Sequence, residues 1–440
     1  MPLMAVGLWA TPAVNDLALP EQVFPQLDGI LKGAVQQSPR MLSRALDLEI
    51  AENTRIQARS GLLPSMGAYY SYYQASDDRA DLNGRQNVTK IAYSVSVTQP
   101  LYYWGERRNN ARIGEIQAAI AKGSYRESYR LLVQELRSGY LGLIAQKVAI
   151  QRARFSLEFA NGQLAQAEDR LLKRVISDAE IYPVRLYAEQ AQLAAERAEF
   201  DFQNAKLSFA RLAGIGSIAD DAIPKDIPSA AYPAGAFDSL LAGYLSQKAP
   251  PTTEAFTLRQ MLEMEKLNYA SAKTRLRPKF NAVLGTTQDE QSYTQNVAQK
   301  YQVNSIYGGV SASWSIFDGF AAGAAVRTSL ARRRQLENDY RQLTERLAQE
   351  AQTQVKQINF SARSMSFYDR LLISGEGNLK TRQEEFRRGV RSEADVSQAQ
   401  ISLFDRQIDA LKARSDYLMK IGEFLGTITE DPILNNLAQK

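Results

Sequence analysis

Two short polar motifs stand out among the residues that could carry chemistry, because they occur at matched places in the two halves of the chain. Ser177-Asp-Ala-Glu180 and Ser392-Glu-Ala-Asp395 both have the form S-x-x-[DE]. In such a capping box the serine and the acid each bond a backbone N–H of the other residue, and a helix begins there. Basic pairs precede both motifs, at Lys173-Arg174 and Arg387-Arg388, as suits a helix C-terminus. Each motif therefore predicts a tight turn between two helices.

Residues for catalysis are largely missing from the chain. It has 440 residues and contains no cysteine and no histidine. This composition removes thiol chemistry, the usual Cys/His zinc sites and every Ser-His or Cys-His nucleophile. No G-x-x-x-x-G-K-[ST] phosphate loop occurs, and the net charge is only +5 with acids and bases interleaved. We therefore expect no enzymatic activity, no cofactor, no metal and no nucleic-acid partner.

The elements around these turns are duplicated. Pro64 in Ser60–Met66 corresponds to Pro278 in Thr274–Phe280, 214 residues later. The segment from Val95 to Gly105 corresponds in the same way to Val310–Gly319. With only two copies of so large a unit, a solenoid is not expected. The pattern indicates a duplicated strand hairpin with helical arms.

Long tracts without proline predict very long helices. No proline lies between Pro100 and Pro183 or between Pro278 and Pro432, and proline costs a helix interior roughly 3 kcal/mol. After Gly105 we expect a helix to about Lys173, with a heptad seam of apolar residues. The seam consists of Leu136, Leu143, Ile150, Leu157, Leu164 and Leu171. The returning helices carry Leu186, Leu193, Phe200 and Leu207 in the first half, and Ile401, Phe404, Ile408, Leu411, Leu418 and Leu425 in the second. Their partners could come from the same chain or from other subunits.

Short segments with alternating apolar and polar residues predict strand hairpins at 65–103 and 279–317, with Gln74–Gln86 and Thr287–Gln302 as their polar loops. Aromatic residues cluster near the strand ends: Tyr69, Tyr70, Tyr72, Tyr73, Tyr102, Tyr103, Trp104 and Phe317. Alternation alone suits a transmembrane barrel wall and a half-buried soluble sheet equally. A closed barrel in lipid needs about eight strands or more. If these strands lie in a membrane, several chains must share one barrel.

We expect five segments along the chain. They are a possible signal-peptide remnant at 1–20, a first repeat at 21–213 with its tip near 174–180, an equatorial segment at 214–250, a second repeat at 251–426 with its tip near 389–395, and a tail at 427–440. The start, Met1–Ala10, resembles the apolar part of a signal peptide but lacks its basic beginning, since the first basic residue is Lys32.

From about Leu31 to Gly426 the chain resembles the TolC family of outer-membrane efflux and secretion channels. The resemblance rests on the duplication, on Gln99-Pro-Leu-Tyr-x-x-Gly105 and Ser315-Ile-Phe-Asp-Gly319 at the strand-to-helix junctions, on the two tips, and on Leu212-Ala-Gly214 and Leu425-Gly426. It implies a mainly α homotrimer in which duplicated long helical hairpins form an α-barrel and four strands per chain join one twelve-stranded transmembrane β-barrel.

The resemblance also implies a location and partners. The barrel would lie in outer-membrane lipid, with the helical part in the periplasm. The trimer would passively export small molecules or proteins, together with a periplasmic adaptor protein and an inner-membrane pump of the RND, ABC or MFS type. The cargo and the particular pump do not follow from the sequence.

Roles for the two tips follow from the same resemblance. The adaptor-docking turns match Arg174, Val175, Ile176 and Ser177, and Gly389, Val390, Arg391 and Ser392. Arg391 matches a basic gate residue, with Glu180 as its expected acidic partner, and Asp395 matches one of two acidic positions that ring the periplasmic entrance. The second acidic position falls on Gln398, and Arg174 stands where the family usually has glycine. The alternative is that Arg391, Glu180 and Asp395 are ordinary capping and dipole residues.

A soluble periplasmic coiled-coil scaffold without channel activity is the competing function. It would explain the heptads. It would not explain two aromatic-rich, alternating hairpins at matched positions.

Overall fold

A computed structural model describes residues 19–78, 84–230, 232–233, 235–247, 249–293 and 300–437. Within these ranges the helices and strands, named in chain order, are α1 Pro20–Val23, α2 Pro25–Gln37, α3 Pro39–Ser60, β1 Ser65–Asp77, β2 Gln86–Tyr102, α4 Glu106–Leu172, α5 Asp178–Ala213, α6 Asp238–Leu245, α7 Thr253–Lys273, β3 Lys279–Tyr293, β4 Lys300–Ser313, α8 Ala321–Arg387 and α9 Glu393–Thr427. None of the described helices is long and apolar enough to cross a membrane. Residues 1–18 of the possible signal-peptide remnant lie outside the described ranges.

The duplication predicted from the sequence appears in the element lengths. Helices α4 and α8 have 67 residues each, and α5 and α9 have 36 and 35. The two 67-residue helices therefore form where proline is absent and where Ala, Leu, Gln, Glu and Arg favour helix, whereas α5 contains Pro183 near its start. The predicted fold class, mainly α with four strands, is confirmed.

The four strands form one antiparallel sheet in the order β1-β2-β3-β4. They extend into segments that we predicted to be loops, because β1 continues to Asp77, β3 to Tyr293, and β4 already begins at Lys300. Opposite charges face each other across these extensions. Lys90 lies 2.8 Å from Asp77, and Lys300 lies 2.8 Å from Glu290. Such cross-strand pairs favour the longer ladder over an open polar loop.

The strand register separates an apolar face from a polar one. Met66 lies opposite Val97, and Val97 lies opposite Leu284, so all three side chains share one face. Their neighbours Gly67, Ser96 and Gly285 are paired in the same way on the other face. We call these the apolar and the polar face of the sheet. This arrangement is the one that the alternation in the sequence predicts.

Both strand-to-helix junctions contain two successive residues in the left-handed conformation. They are Trp104 (φ 54°) and Gly105 (φ 88°) in the first repeat, and Gly319 (φ 63°) and Phe320 (φ 68°) in the second. A residue with a side chain is strained at such angles, whereas glycine is not. Each junction thus places one aromatic residue and one glycine in this turn, in opposite orders.

The chain divides into two compact units, and each combines parts of both repeats. Within the described residues, unit 1 contains 19–46, 124–255 and 343–437, and unit 2 contains 47–123 and 256–342. The apolar core of unit 1 includes the seam residues Leu136, Leu143 and Ile150, together with Leu411 and Leu418 of α9. Residues of the expected equatorial segment, such as Ile223 and Ile227, pack into the same core.

Helix α5 turns a different face inward from the one that its heptad suggested. Ile181, Ala188, Phe202 and Phe209 are buried. Four heptad residues are exposed instead: Leu186 by 46%, Leu193 by 67%, Phe200 by 63% and Leu207 by 61%. We call these four residues the α5 stripe. The sequence left open whether such a stripe packs against the same chain or against another subunit. Within the described residues, the same chain provides no partner for it.

A buried ion cluster lies in unit 1. Arg137 of α4 is fully buried and binds Glu21 of α1 and Asp431 beyond α9. Its Nε donates to Glu21 Oε2 at 2.8 Å, and its Nη1 donates to Asp431 Oδ2 at 2.6 Å. Burial alone would lower the pKa of Arg137, but the two carboxylates outweigh it and raise that pKa. The guanidinium therefore stays charged inside the protein.

Candidate functional site

The first helical tip closes with two backbone motifs in succession. Arg174 adopts the left-handed conformation with φ 56°. The Val175 N–H donates to the Arg170 carbonyl and the Arg174 N–H to the Leu171 carbonyl, each at 2.8 Å, which is the Schellman arrangement. The Ser177 N–H then donates to Glu180 Oε2 at 2.8 Å, so the predicted capping box starts α5.

The second tip repeats this geometry with a different residue at its tightest point. Gly389 has φ 74° and stands where Arg174 stands in the first tip. The Val390 N–H donates to the Glu385 carbonyl at 2.9 Å. The Ser392 N–H donates to Asp395 Oδ2 at 3.1 Å, and the Asp395 N–H donates to Ser392 Oγ at 3.2 Å. Both predicted capping boxes therefore form.

Hydrogen bonds from the serines stabilise the ionised form of both capping acids. The Ser177 backbone N–H, followed by its hydroxyl, lowers the pKa of Glu180. The Ser392 hydroxyl, followed by its N–H, lowers the pKa of Asp395, and the nearby positive charge of Arg391 acts in the same direction. Both carboxylates are therefore negatively charged at neutral pH.

Arg391 has an in-chain partner that the sequence analysis did not name. Its Nε donates to Glu385 Oε2 at 3.3 Å, and Arg382 Nη1 donates to the same oxygen at 3.1 Å. Glu180, the expected partner, bonds to Ser177 of its own tip instead. Glu385 lies just before the turn and Arg391 just after it, so their pairing follows from the turn geometry. Gln398 is exposed one turn beyond the capping box of α9.

Apolar side chains at the ends of both tips are open to solvent. Leu172 is exposed by 84%, Val175 by 62% and Val390 by 69%. Arg174, Ser177, Gly389 and Ser392 are exposed as well, whereas Ile176 is half-buried. The tips thus combine exposed valines and a leucine with charged capping groups, a mixture suited to contact with another protein. In the described part of the chain, no group of three or more acidic residues is arranged to hold a metal ion.

The family described as outer membrane efflux protein matches residues 30–215 and 258–420. The chain belongs to this family. It is therefore a protein of the outer membrane with its helical part in the periplasm, and it serves efflux rather than scaffolding. The matched ranges contain most of both repeats, both tips and the whole sheet.

Individual relatives agree with this placement. The chain is 22% identical over 439 residues to the outer membrane protein TolC of Escherichia coli (strain K12), with 92% of this chain and 83% of that protein covered. Among solved structures, the outer membrane protein VceC of Vibrio cholerae has a TM-score of 0.65 at 14% identity, over 95% of this chain and 98% of that one. The CmeC outer membrane channel of Campylobacter jejuni has a TM-score of 0.67 at 13% identity, over 98% and 92%.

Proposed function

We propose that this efflux protein is a homotrimeric channel-tunnel, and that it passively exports small molecules or proteins delivered by an inner-membrane pump through a periplasmic adaptor. The observation that carries the proposal is the open sheet. Within the described residues, β1 and β4 each pair on one side only. An open strand edge is not viable in hydrocarbon, and four strands cannot close a barrel that needs about eight or more.

Additional copies of the chain would complete this sheet. The strands alternate in direction, so β4 of one copy would lie antiparallel to β1 of the next. Three copies would give the twelve strands that the family resemblance implies. In this arrangement the apolar face would meet lipid and the polar face would line the channel.

The helices of unit 1 support the same assembly. The α5 stripe is exposed, and α8 exposes a second set of apolar residues, with Phe360 at 67%, Phe367 at 49% and Ile373 at 66%. Because the two sets lie on different helices, a head-to-tail ring would bury one against the other in each neighbouring pair. We propose this contact as the subunit interface of the tunnel.

The two tips form the periplasmic entrance in this proposal. Arg391, Glu180, Asp395 and Gln398 ring the opening, and the exposed turns at 174–177 and 389–392 dock the adaptor. The pump would be of the RND, ABC or MFS type. The chain itself would perform no catalysis and need no cofactor, so its energy comes from the pump.

The mass of the protein in mild detergent tests the assembly. We expect light scattering, corrected for bound detergent, to give three copies per particle, and we expect extraction to require detergent. A monomer that leaves the membrane with carbonate would overturn the proposal. Replacing Leu193 and Phe200 with Glu would weaken the trimer if the α5 stripe is the interface, whereas Glu at exposed Gln192 and Gln203 of the same helix would not.

Single-channel conductance tests the gate. We expect Arg391→Ala to raise the conductance in planar bilayers. In a trimer, this substitution removes three positive charges and their contacts with Glu385 from the opening. Arg388→Ala removes a positive charge from the same tip without touching Glu385 and serves as the control. Equal conductance of wild type and Arg391→Ala would remove Arg391 from the gate.

A further inference from the structure

A strongly basic turn joins α7 to β3 in unit 2. Lys273, Arg275, Arg277 and Lys279 alternate with uncharged residues, and no acid lies among them. We call residues 273–279 the basic turn. The corresponding turn of the first repeat, residues 59–65, has the single charged residue Arg59. The duplication therefore does not explain the charge, which is specific to the second repeat.

Two of the three tryptophans in the sequence hold this turn in place. Trp104 Nε1 donates to the Pro278 carbonyl at 2.7 Å, and Trp314 Nε1 donates to the Leu276 carbonyl at 2.8 Å. The guanidinium carbon of Arg277 lies 4.6 Å from the centre of the Trp104 ring. The turn is thus fixed by indole groups, which favour the interface between hydrocarbon and water.

Ring contacts place Arg277 beside the apolar face of the sheet. Tyr102 lies opposite Phe280, which shares its face with Leu284, and the ring of Trp104 packs on Tyr102 at 4.8 Å. Arg277 stacks on this Trp104. Lys279 instead belongs to the polar face, since it binds Glu106 at 2.7 Å beside Tyr103, and Tyr103 bonds Asn281.

Three of the four cations of the basic turn are open to solvent. Lys273, Arg275 and Arg277 are exposed. Lys273 lies over the Tyr269 ring at 4.8 Å, and Arg275 shares a half-exposed contact with Asp318 at 3.1 Å. Among the described residues, neither Lys273 nor Arg277 forms a salt bridge with a carboxylate. Their charge therefore calls for an anion from outside the chain.

The same end of the sheet exposes large apolar side chains. Trp314 is exposed by 63%, Phe317 by 69% and Phe320 by 80%. Aromatic groups and cations side by side match the boundary between lipid acyl chains and headgroups. The basic turn leads directly into β3, an inner strand of the sheet, whereas neighbouring copies would join at β1 and β4. A trimer would leave it facing the bilayer.

We propose that the basic turn binds the phosphate of anionic phospholipids in the leaflet next to the helical part. The inference rests on the proposed function, which places the sheet in a bilayer. Arginine forms forked hydrogen bonds with phosphate, and a basic residue near a membrane surface contributes about fivefold to the binding of anionic lipid. Bound lipid would fix the depth of the barrel at the second repeat of each subunit.

Quenching of Trp104 and Trp314 by brominated lipids tests the site directly. A Trp9→Phe background removes the remaining tryptophan. The full chain is reconstituted in vesicles that contain either brominated phosphatidylglycerol or brominated phosphatidylcholine at equal fractions. We expect phosphatidylglycerol to bind at least about fivefold more strongly, which is the contribution of a single basic residue. We also expect added sodium chloride to reduce this preference, because the attraction is electrostatic.

A matched pair of variants identifies the residues. K273Q/R275Q/R277Q should lose the preference, while R332Q/R334Q/R341Q, which removes three exposed arginines from α8 in the same unit, should keep it. Equal binding of the two lipids by wild type, a preference that salt does not change, or a preference that survives in the first variant would overturn the proposal. Each sample is first checked for mass and conductance. A wild-type protein that forms a conducting trimer but shows no lipid preference contradicts only this inference. A protein that does not form a trimer contradicts the proposed function.

Discussion

Unit 1 holds its charged groups in two contrasting ways. The Arg137 cluster is buried and joins three distant parts of the sequence, whereas the charges of the tips are exposed and bond within a few residues of one another. Removing one partner of a buried ion pair leaves an uncompensated charge in the interior, while exposed pairs contribute little individually. Buried ion pairs between distant segments therefore stabilise the core, whereas local hydrogen bonds, which a single substitution can change, stabilise the tips.

The largest expected effect comes from the buried cluster. We expect Arg137→Met to lower the free energy of unfolding by about 3–5 kcal/mol, because Glu21 and Asp431 would remain buried without a cation. Arg152→Met, on the same helix, breaks a pair with Asp405 that is partly exposed. It should cost less than about 1 kcal/mol. Urea denaturation of the detergent-solubilised protein measures the unfolding free energy of both variants. Similar losses of stability would contradict the expected difference between the buried and the exposed ion pair.

A smaller effect is expected from exchanging the residues at the two left-handed positions. Arg174→Gly should stabilise the first tip by about 1 kcal/mol, and Gly389→Ala should destabilise the second by a similar amount, because only glycine adopts these angles without strain. Amide hydrogen exchange at Val175 and Val390, which bond across the turns, reports each change. Gly377→Ala in the interior of α8 is the control and should have the opposite sign to Gly389→Ala. If Gly389→Ala and Gly377→Ala changed stability in the same direction, the left-handed angle at Gly389 would not be the cause.

Acid should loosen the tips before it loosens the core. The folded-state pKa values of Glu180 and Asp395 are lowered, so the stability that they contribute is present above their unfolded pKa, near 4. It is lost as the pH falls through the folded value. We expect exchange at Val175 and Val390 to accelerate below about pH 4 relative to buried amides of α4. Asp395→Asn should remove this pH dependence at the second tip only. If exchange at Val390 kept its pH dependence in this variant, Asp395 would not be the group responsible.

Features determined by nearby residues could be predicted from the sequence. The capping boxes at Ser177 and Ser392 and the long proline-free helices α4 and α8 follow from local rules, and the structure contains them. The inward face of α5 and the Arg137 cluster depend on packing between distant segments. The pairing of Arg391 with Glu385 spans only six residues, but it depends on the conformation of the turn between them. A single arginine within the largely apolar segment Leu131–Ile144 was the available signal for the buried cluster. The gate and docking roles of the tips stay predictions.

The Arg137 cluster has a consequence for the order in which the protein can fold. Arg137 and Asp431 are 294 residues apart, and the core around them also draws on residues as early as Leu19. Contacts so distant along the chain form slowly and only after the later residue has been synthesised. The core of unit 1 therefore cannot be completed while the chain is still emerging. Folding of this core must therefore wait for the segment that contains Asp431.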